Sequence, residues 1–212
     1  MRALRERIVG PRIMSSLPRL LLRVTLPLYL LDQVTKWYIV MNFPPPEPGQ
    51  FASHQVYPVI DGFFNIVRVH NQGAAFGMGN GTAWAPYVLF LIAILALGVL
   101  GYFWKRGAFN SLLLQLAAGL LAAGILGNLT DRIFQGFFLP AYQEEGFFTR
   151  LAHGYVVDFL DFILPWYGHW PSFNVADSCI CVAAFFLILS TFRSEAESKR
   201  KVKERKAEAK AS

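Results

Sequence analysis

From Ala85 to Trp104 the sequence reads APYVLFLIAILALGVLGYFW, 20 residues without a charged side chain. A helix rises about 1.5 Å per residue, so this run crosses the roughly 30 Å of a bilayer's hydrocarbon. Three other stretches are also long and apolar enough to cross, though two of them carry charged residues: residues 20–41 before it, and residues 111–130 and 172–192 after it. The chain is therefore predicted to be an all-α integral membrane protein with four transmembrane helices. Composition agrees: of 212 residues 54% are hydrophobic and only 16% charged, where a soluble domain carries about 25% charged residues.

The charges collect at the two ends. Arg2, Arg5, Arg7, Arg12, Arg19 and Arg23 face Glu6 alone, and the tail, residues 193–212, mixes seven further Lys and Arg from Lys199 onward with four glutamates. The net charge of +6 is explained by topology and by contact with anionic lipid headgroups rather than by nucleic acid. The short connection with Lys105 and Arg106 is basic as well, while residues 42–84 carry only Arg68 among Lys and Arg. In residues 131–171, Arg132 and Arg150 are balanced by acids. The positive-inside rule then places both termini and the short loop in the cytoplasm and both long loops outside. The N-terminal arm resembles a secretory signal, but its apolar run leads into Asp32, Gln33 and Lys36 with no small-residue cleavage pattern, so it is read as a retained first span. Trp37, Tyr38, Trp84, Tyr87, Trp104, Trp166, Tyr167 and Trp170 lie near span ends, as an aromatic belt requires.

Between the first two spans, residues 57–69 partly alternate in polarity around an Asp61-Gly62 turn signal, which predicts a short hairpin, a small extramembrane β element on the outer side. The proline run Pro44-Pro45-Pro46 ahead of it cannot be regular helix. Residues 133–157, with Phe137, Phe138, Phe147 and Phe148 around Glu144 and Glu145, are expected to rest at the membrane interface. Gly119, Ala123 and Gly127 repeat every four residues and give the third span a close-packing face. Cys179 and Cys181 point in different directions on a helix and are expected to be buried and inert. No metal or cofactor is expected.

Ionisable residues within spans cost at least about 2.5–3.5 kcal/mol each and so demand an explanation. Asp32 and Lys36, four apart on one helix face, neutralise each other. Asn128, Asp131 and Arg132 share a face at the outer end of the third span, where Asp131 and Arg132 are each expected to meet another helix. A substrate-orienting role for Asn128 and Arg132 stays open. Asn174 and Asp177 open the fourth span with no base nearby, and Asp158 lies in the apolar run Gly154-Tyr-Val-Val-Asp-Phe, again with no base nearby in sequence. Two partly buried acids without bases suggest a carboxylate pair sharing one proton, the arrangement that activates water in aspartic proteases. Asp177, near a helix N-terminus, would be the ionised member. Asp161 competes with Asp177 as the partner of Asp158.

Five motifs then fall in order along the chain: Asp32-Gln33-Val34-Thr35-Lys36, Asn71-Gln72-Gly73-Ala74-Ala75-Phe76, Gly127-Asn128-Leu129-Thr130-Asp131-Arg132, Val156-Val157-Asp158-Phe159 and Phe173-Asn174-Val175-Ala176-Asp177. Together they resemble lipoprotein signal peptidase, the bacterial type II signal peptidase family. The resemblance implies an endopeptidase of the bacterial inner membrane, residues 1–192, that cleaves diacylglyceryl-modified prolipoproteins just before the lipidated cysteine. It implies Asp158 and Asp177 as the catalytic dyad. Asn71, Asn128, Arg132 and Asn174 would hold substrate or orient the aspartates, with Asp32 and Lys36 in support. The outer hairpin would correspond to the small sheet that cradles substrate. One feature departs from the family: its connection between Arg132 and Asp158 is usually short, and here an aromatic-rich segment intervenes. Two other functions remain open, an ion or proton relay through Asp32, Lys36, Asp158 and Asp177, and a non-catalytic factor that binds lipidated partners.

Overall fold

The computed structural model describes residues 17–211 apart from Pro48, residues 75–77 and Ala83. The basic arm with Arg2, Arg5, Glu6, Arg7 and Arg12, and Ala75 and Phe76 of the second motif, lie outside the described residues. Helix α1 (Leu17–Leu20) passes through a π turn (Leu21–Thr25) into α2 (Leu26–Asn42). The wide turn has a local cause. Pro27 has no N–H to continue the α ladder, and the N–H of Leu26 instead bonds Leu21. Thr25 fastens the turn to the third span by donating to the Gly119 carbonyl at 3.0 Å.

Helix α3 (Ala85–Lys105) starts with Pro86 in its first turn, where no N–H is needed. Ser111 caps α4 (Leu112–Phe134), accepting from the Leu114 N–H at 3.3 Å. Two 3₁₀ turns (Gln135–Phe138 and Pro140–Tyr142) and the short α5 (Phe147–Ala152) follow, and the chain ends in α6 (Val175–Ala211). Among the described residues three helical stretches are long and apolar enough to cross a membrane: Ala85–Lys105, Leu112–Phe138 and Val175–Ala209. The first predicted span differs from these. Its unbroken α-helix, α2, has 17 residues, about 25 Å, and it buries Asp32 and Lys36.

The β element is larger than the predicted hairpin. Strands β1 (Tyr57–Ile60), β2 (Phe64–Asn71), β3 (Val156–Leu164) and β4 (Gly168–His169) form one antiparallel sheet in the order β1-β2-β3-β4. Gly62 supplies the positive φ of 67° in the β1–β2 turn. In β2 the register slips between Ile66 and Val69, which pair with Leu160 and Asp158. The bulge carries Arg68, whose Nη1 donates to the carbonyls of Val40 at 3.0 Å and Phe43 at 2.7 Å. The sheet thereby satisfies the open carbonyls at the end of α2. Ile39, Phe43, Tyr155, Val157 and Phe159 pack into the core that joins this helix end to β3.

Helix α4 lies at the centre. A Cβ on Gly124 would stand 2.5 Å from the Ala176 carbonyl oxygen, and one on Gly127 would stand 2.5 Å from Asp32 Oδ2. The small-residue face thus admits both a neighbouring backbone and a carboxylate. Two expectations need correction. Trp104 is buried and stacks on Phe109 at 5.6 Å instead of joining an interfacial belt, and Cys181 is exposed while Cys179 is buried.

Candidate active site

Lys36 organises the first cluster. Its Nζ lies 2.9 Å from Asp32 Oδ2, 3.0 Å from Asp131 Oδ2 and 2.9 Å from Asn128 Oδ1. All three charged side chains are at most 1% exposed. Asp32 also accepts from the Ala176 N–H at 2.8 Å, and Asp131 accepts from the Val157 N–H at 3.1 Å. One ammonium and two carboxylates therefore tie α2, α4, α6 and β3 together. Gln33, to which the sequence reading gave no role, closes the cluster by donating to Asp32, the Gly127 carbonyl and Asp131. Its place within the Asp32-Gln33-Val34-Thr35-Lys36 motif was the signal available.

The second cluster is built on amides. Asn174 caps α6: its Oδ1 accepts from the Asp177 N–H at 2.9 Å while Asp177 Oδ2 accepts from the Asn174 N–H at 3.3 Å, a reciprocal capping box. The Asn174 side chain then donates to Asp158 Oδ1 at 2.7 Å and to Asn128 Oδ1 at 3.2 Å. Asn71, the last residue of β2, donates to Asp158 Oδ2 at 3.0 Å, and Asn128 donates to Asp177 Oδ1 at 2.7 Å. Asp158 and Asp177 thus belong to one hydrogen-bonded network, with Asn174 bonded to both and Asn128 linking Lys36 to Asp177. Asp158 is buried on β3, and that burial, with the Asp177 charge second, pushes its carboxyl up to about 7.

Asp161 is not part of this network. It lies three residues along β3 and so faces the other side of the strand, where it accepts from Asn65 at 2.9 Å and meets His169 Nδ1 at 2.9 Å. The expectation that Asp158 and Asp177 lack basic neighbours also needs correction. Lys36 is near enough for its charge to act on both, and the charges of both carboxylates act on Arg132. The fold supplies what adjacency in sequence does not. Arg132 donates through Nη2 to the Gly73 carbonyl at 2.8 Å and through Nη1 to the Asn128 carbonyl at 3.5 Å, and its buried Nε has no partner among the described residues.

Two carboxylates on one network, one of them held near neutral pKa, can keep a single proton between them. The family model for signal peptidase (SPase) II matches residues 24–193. The chain is 34% identical to the lipoprotein signal peptidase of Pseudoalteromonas atlantica, over 79% of this chain and 85% of that one. It is 38% identical to the lipoprotein signal peptidase of Bacillus pumilus, over 75% and 83%. Its fold is similar to a solved bacterial membrane enzyme with a TM-score of 0.64 and 29% identity, covering 82% of this chain and 88% of that structure.

Proposed function

The chain belongs to the signal peptidase II family of membrane aspartic proteases, and from that premise we propose that it removes signal peptides from diacylglyceryl-modified prolipoproteins by activating water between Asp158 and Asp177. The relatives it matches are lipoprotein signal peptidases, which supports the substrate. The observation that carries the chemistry is the shared amide network, in which Asn174 donates to Asp158 at 2.7 Å and takes part in the capping box with Asp177.

Asp177, at the N-terminal end of α6, is the ionised member, because the helix dipole and the Asn128 amide favour its charge. Asp158, held up to about 7 by burial and by Asp177, is the protonated one. Asp177 takes a proton from water, the hydroxide oxygen bonds to the scissile carbonyl carbon, and Asp158 gives its proton to the carbonyl oxygen. The tetrahedral diol then collapses: the proton on Asp177 passes to the leaving nitrogen, the C–N bond breaks, and a hydroxyl proton returns to Asp158. Asn71, Asn128 and Asn174 orient the carboxylates. Arg132, whose buried Nε has no partner among the described residues, holds substrate backbone, and the Lys36 cluster fixes Asn128.

We read the helical stretch from α1 through α2 as the first of four spans, tilted against α4. Both termini lie in the cytoplasm, the charged end of α6 extends there, and the dyad opens toward the outer leaflet. A substrate anchored by its own lipid reaches the dyad laterally at that depth. The test incubates the purified protein in liposomes with a diacylglyceryl-modified prolipoprotein and follows loss of the signal peptide. Full processing by Asp158→Asn or Asp177→Asn would overturn the dyad.

A further inference from the structure

The connection between α4 and β3 takes no part in the network above, yet it is firmly built. Arg150 holds it closed: its Nε donates to the Glu145 carbonyl at 2.9 Å, its Nη2 donates to the Gln143 carbonyl, and its guanidinium lies over the Phe137 ring at 5.4 Å. Tyr142 and His153 stack at 3.8 Å. At the base two glycines are required. A Cβ on Gly136 would strike the Arg150 carbonyl, and one on Gly154 would strike the carbonyl of Arg132. The ends of the segment therefore meet against the backbone of the residue whose side chain faces the dyad.

Four phenylalanines on or beside this segment are exposed: Phe134 at the end of α4, Phe138, which meets the Trp37 ring edge-on at 5.0 Å, Phe147 and Phe148 are 53%, 51%, 56% and 74% exposed. Such a cluster on a watery surface marks an interaction site. Its depth is set by α5, which packs across the outer ends of α3 and α4, with the Tyr87 hydroxyl donating to the Phe148 carbonyl at 3.2 Å. Below Tyr87, the exposed Val88, Leu91 and Leu95 carry the same apolar surface down α3. Phe148 and its neighbour Phe147 are thus continuous with the exposed apolar surface of a span. Glu144 and Glu145 occupy the exposed turn ahead of α5.

We propose that residues 135–153 are an interfacial anchor whose Phe138, Phe147 and Phe148 enter the outer leaflet, the partner being the bilayer itself. Interfacial elements sink apolar side chains about 5–10 Å into the headgroup and acyl boundary. Because the anchor closes on the Arg132 carbonyl, it also fixes the depth at which Arg132 meets a membrane-held substrate.

The test labels Phe148→Cys with a bimane fluorophore in a Cys179→Ala, Cys181→Ser background, in liposomes, with Glu145→Cys as the control. Position 148 is expected to be quenched by lipids brominated high on the acyl chain and to be at least about fivefold less sensitive to aqueous iodide than position 145. Phe138→Cys, on the neighbouring turn, carries the same expectation and serves if the first variant does not fold. Equal iodide quenching at 148 and 145 would overturn the anchor in favour of a solvated loop. Protection from both quenchers, with crosslinking between copies, would overturn it in favour of a protein interface. Neither readout depends on peptide cleavage.

Discussion

Two pairs of carboxylates, buried except for the half-buried Asp177, meet around α4 and α6 but have different partners. Asp32 and Asp131 face an ammonium at 2.9 and 3.0 Å and take backbone N–H groups from Ala176 and Val157. Asp158 and Asp177 receive amide donors from Asn71, Asn128 and Asn174 and make no direct ion pair among the described residues. Amides fix a carboxylate in place and favour its charge, but burial outweighs them at Asp158, which stands at about 7 and stays free to change protonation state. An ammonium at contact distance removes that freedom. The ion-paired acids are thereby committed to structure, and the amide-held acids remain free to exchange a proton.

The largest expected effect breaks the second pair. Asp158→Asn or Asp177→Asn keeps the side chain's size, sets an amide N–H against one of its donors and removes the acid or the base, so cleavage in liposomes should fall by about 10²–10⁴-fold. The same exchange in the first pair should act on stability instead. Lys36→Met strands two buried carboxylates and should cost about 3–5 kcal/mol, read as a lowered unfolding midpoint in detergent. Normal thermal stability in Lys36→Met would show that the two clusters do not differ as described.

Much of this contrast is legible in the sequence. The i, i+4 spacing of Asp32 and Lys36 announces their ion pair, and the 20 uncharged residues from Ala85 announce a span. The Asp61-Gly62 turn announces β1 and β2. What escapes is long-range. Asp131 meets Lys36 across 95 positions, and Arg132 comes under the charges of Asp158 and Asp177 only once α4 packs on β3 and α6. Strand β3 reads VVDFLDFIL, an apolar run without clean alternation, because most of its residues on both faces are buried. Its partner β2 lies some 90 residues earlier, so nothing local marks it as a strand. Asp161 looks equivalent to Asp158 until the strand is known, when period-two geometry sends it to the other face. The exposure of Cys181 likewise depends on which side of α6 faces α4.

A smaller effect sharpens the comparison. Hydrogen bonds to charged groups are worth about 1.5–3 kcal/mol, so Asn174→Ala, which removes donors from Asp158 and the cap from Asp177, should slow cleavage about 10–100-fold. Asn128→Ala should fall in the same range, since it separates Asp177 from Lys36. The measurement is kcat and KM on one lipidated precursor. A change confined to KM would make these asparagines substrate contacts alone.

The smallest effect follows from the proton itself. Asp158 stands at about 7, raised from 3.8 first by burial and then by the Asp177 charge. Below about 7 the pair keeps its proton, and above it both carboxylates are charged and the acid is gone. The cleavage rate should be half its maximum near pH 7 on the alkaline side and fall about tenfold for each further pH unit. Stability carries the same signature. The unfolded carboxyl releases its proton near 3.8, so from about pH 4 to 7 the folded state holds a proton that the unfolded state lacks, and stability declines as pH rises through that window. Asp158→Asn has no such proton. Its unfolding midpoint relative to wild type should climb from pH 4 to 7 and stay level above, whereas Asp131→Asn, which disrupts an ion pair, should be less stable than wild type at neutral pH. Parallel pH profiles for wild type and Asp158→Asn would place the shared proton elsewhere.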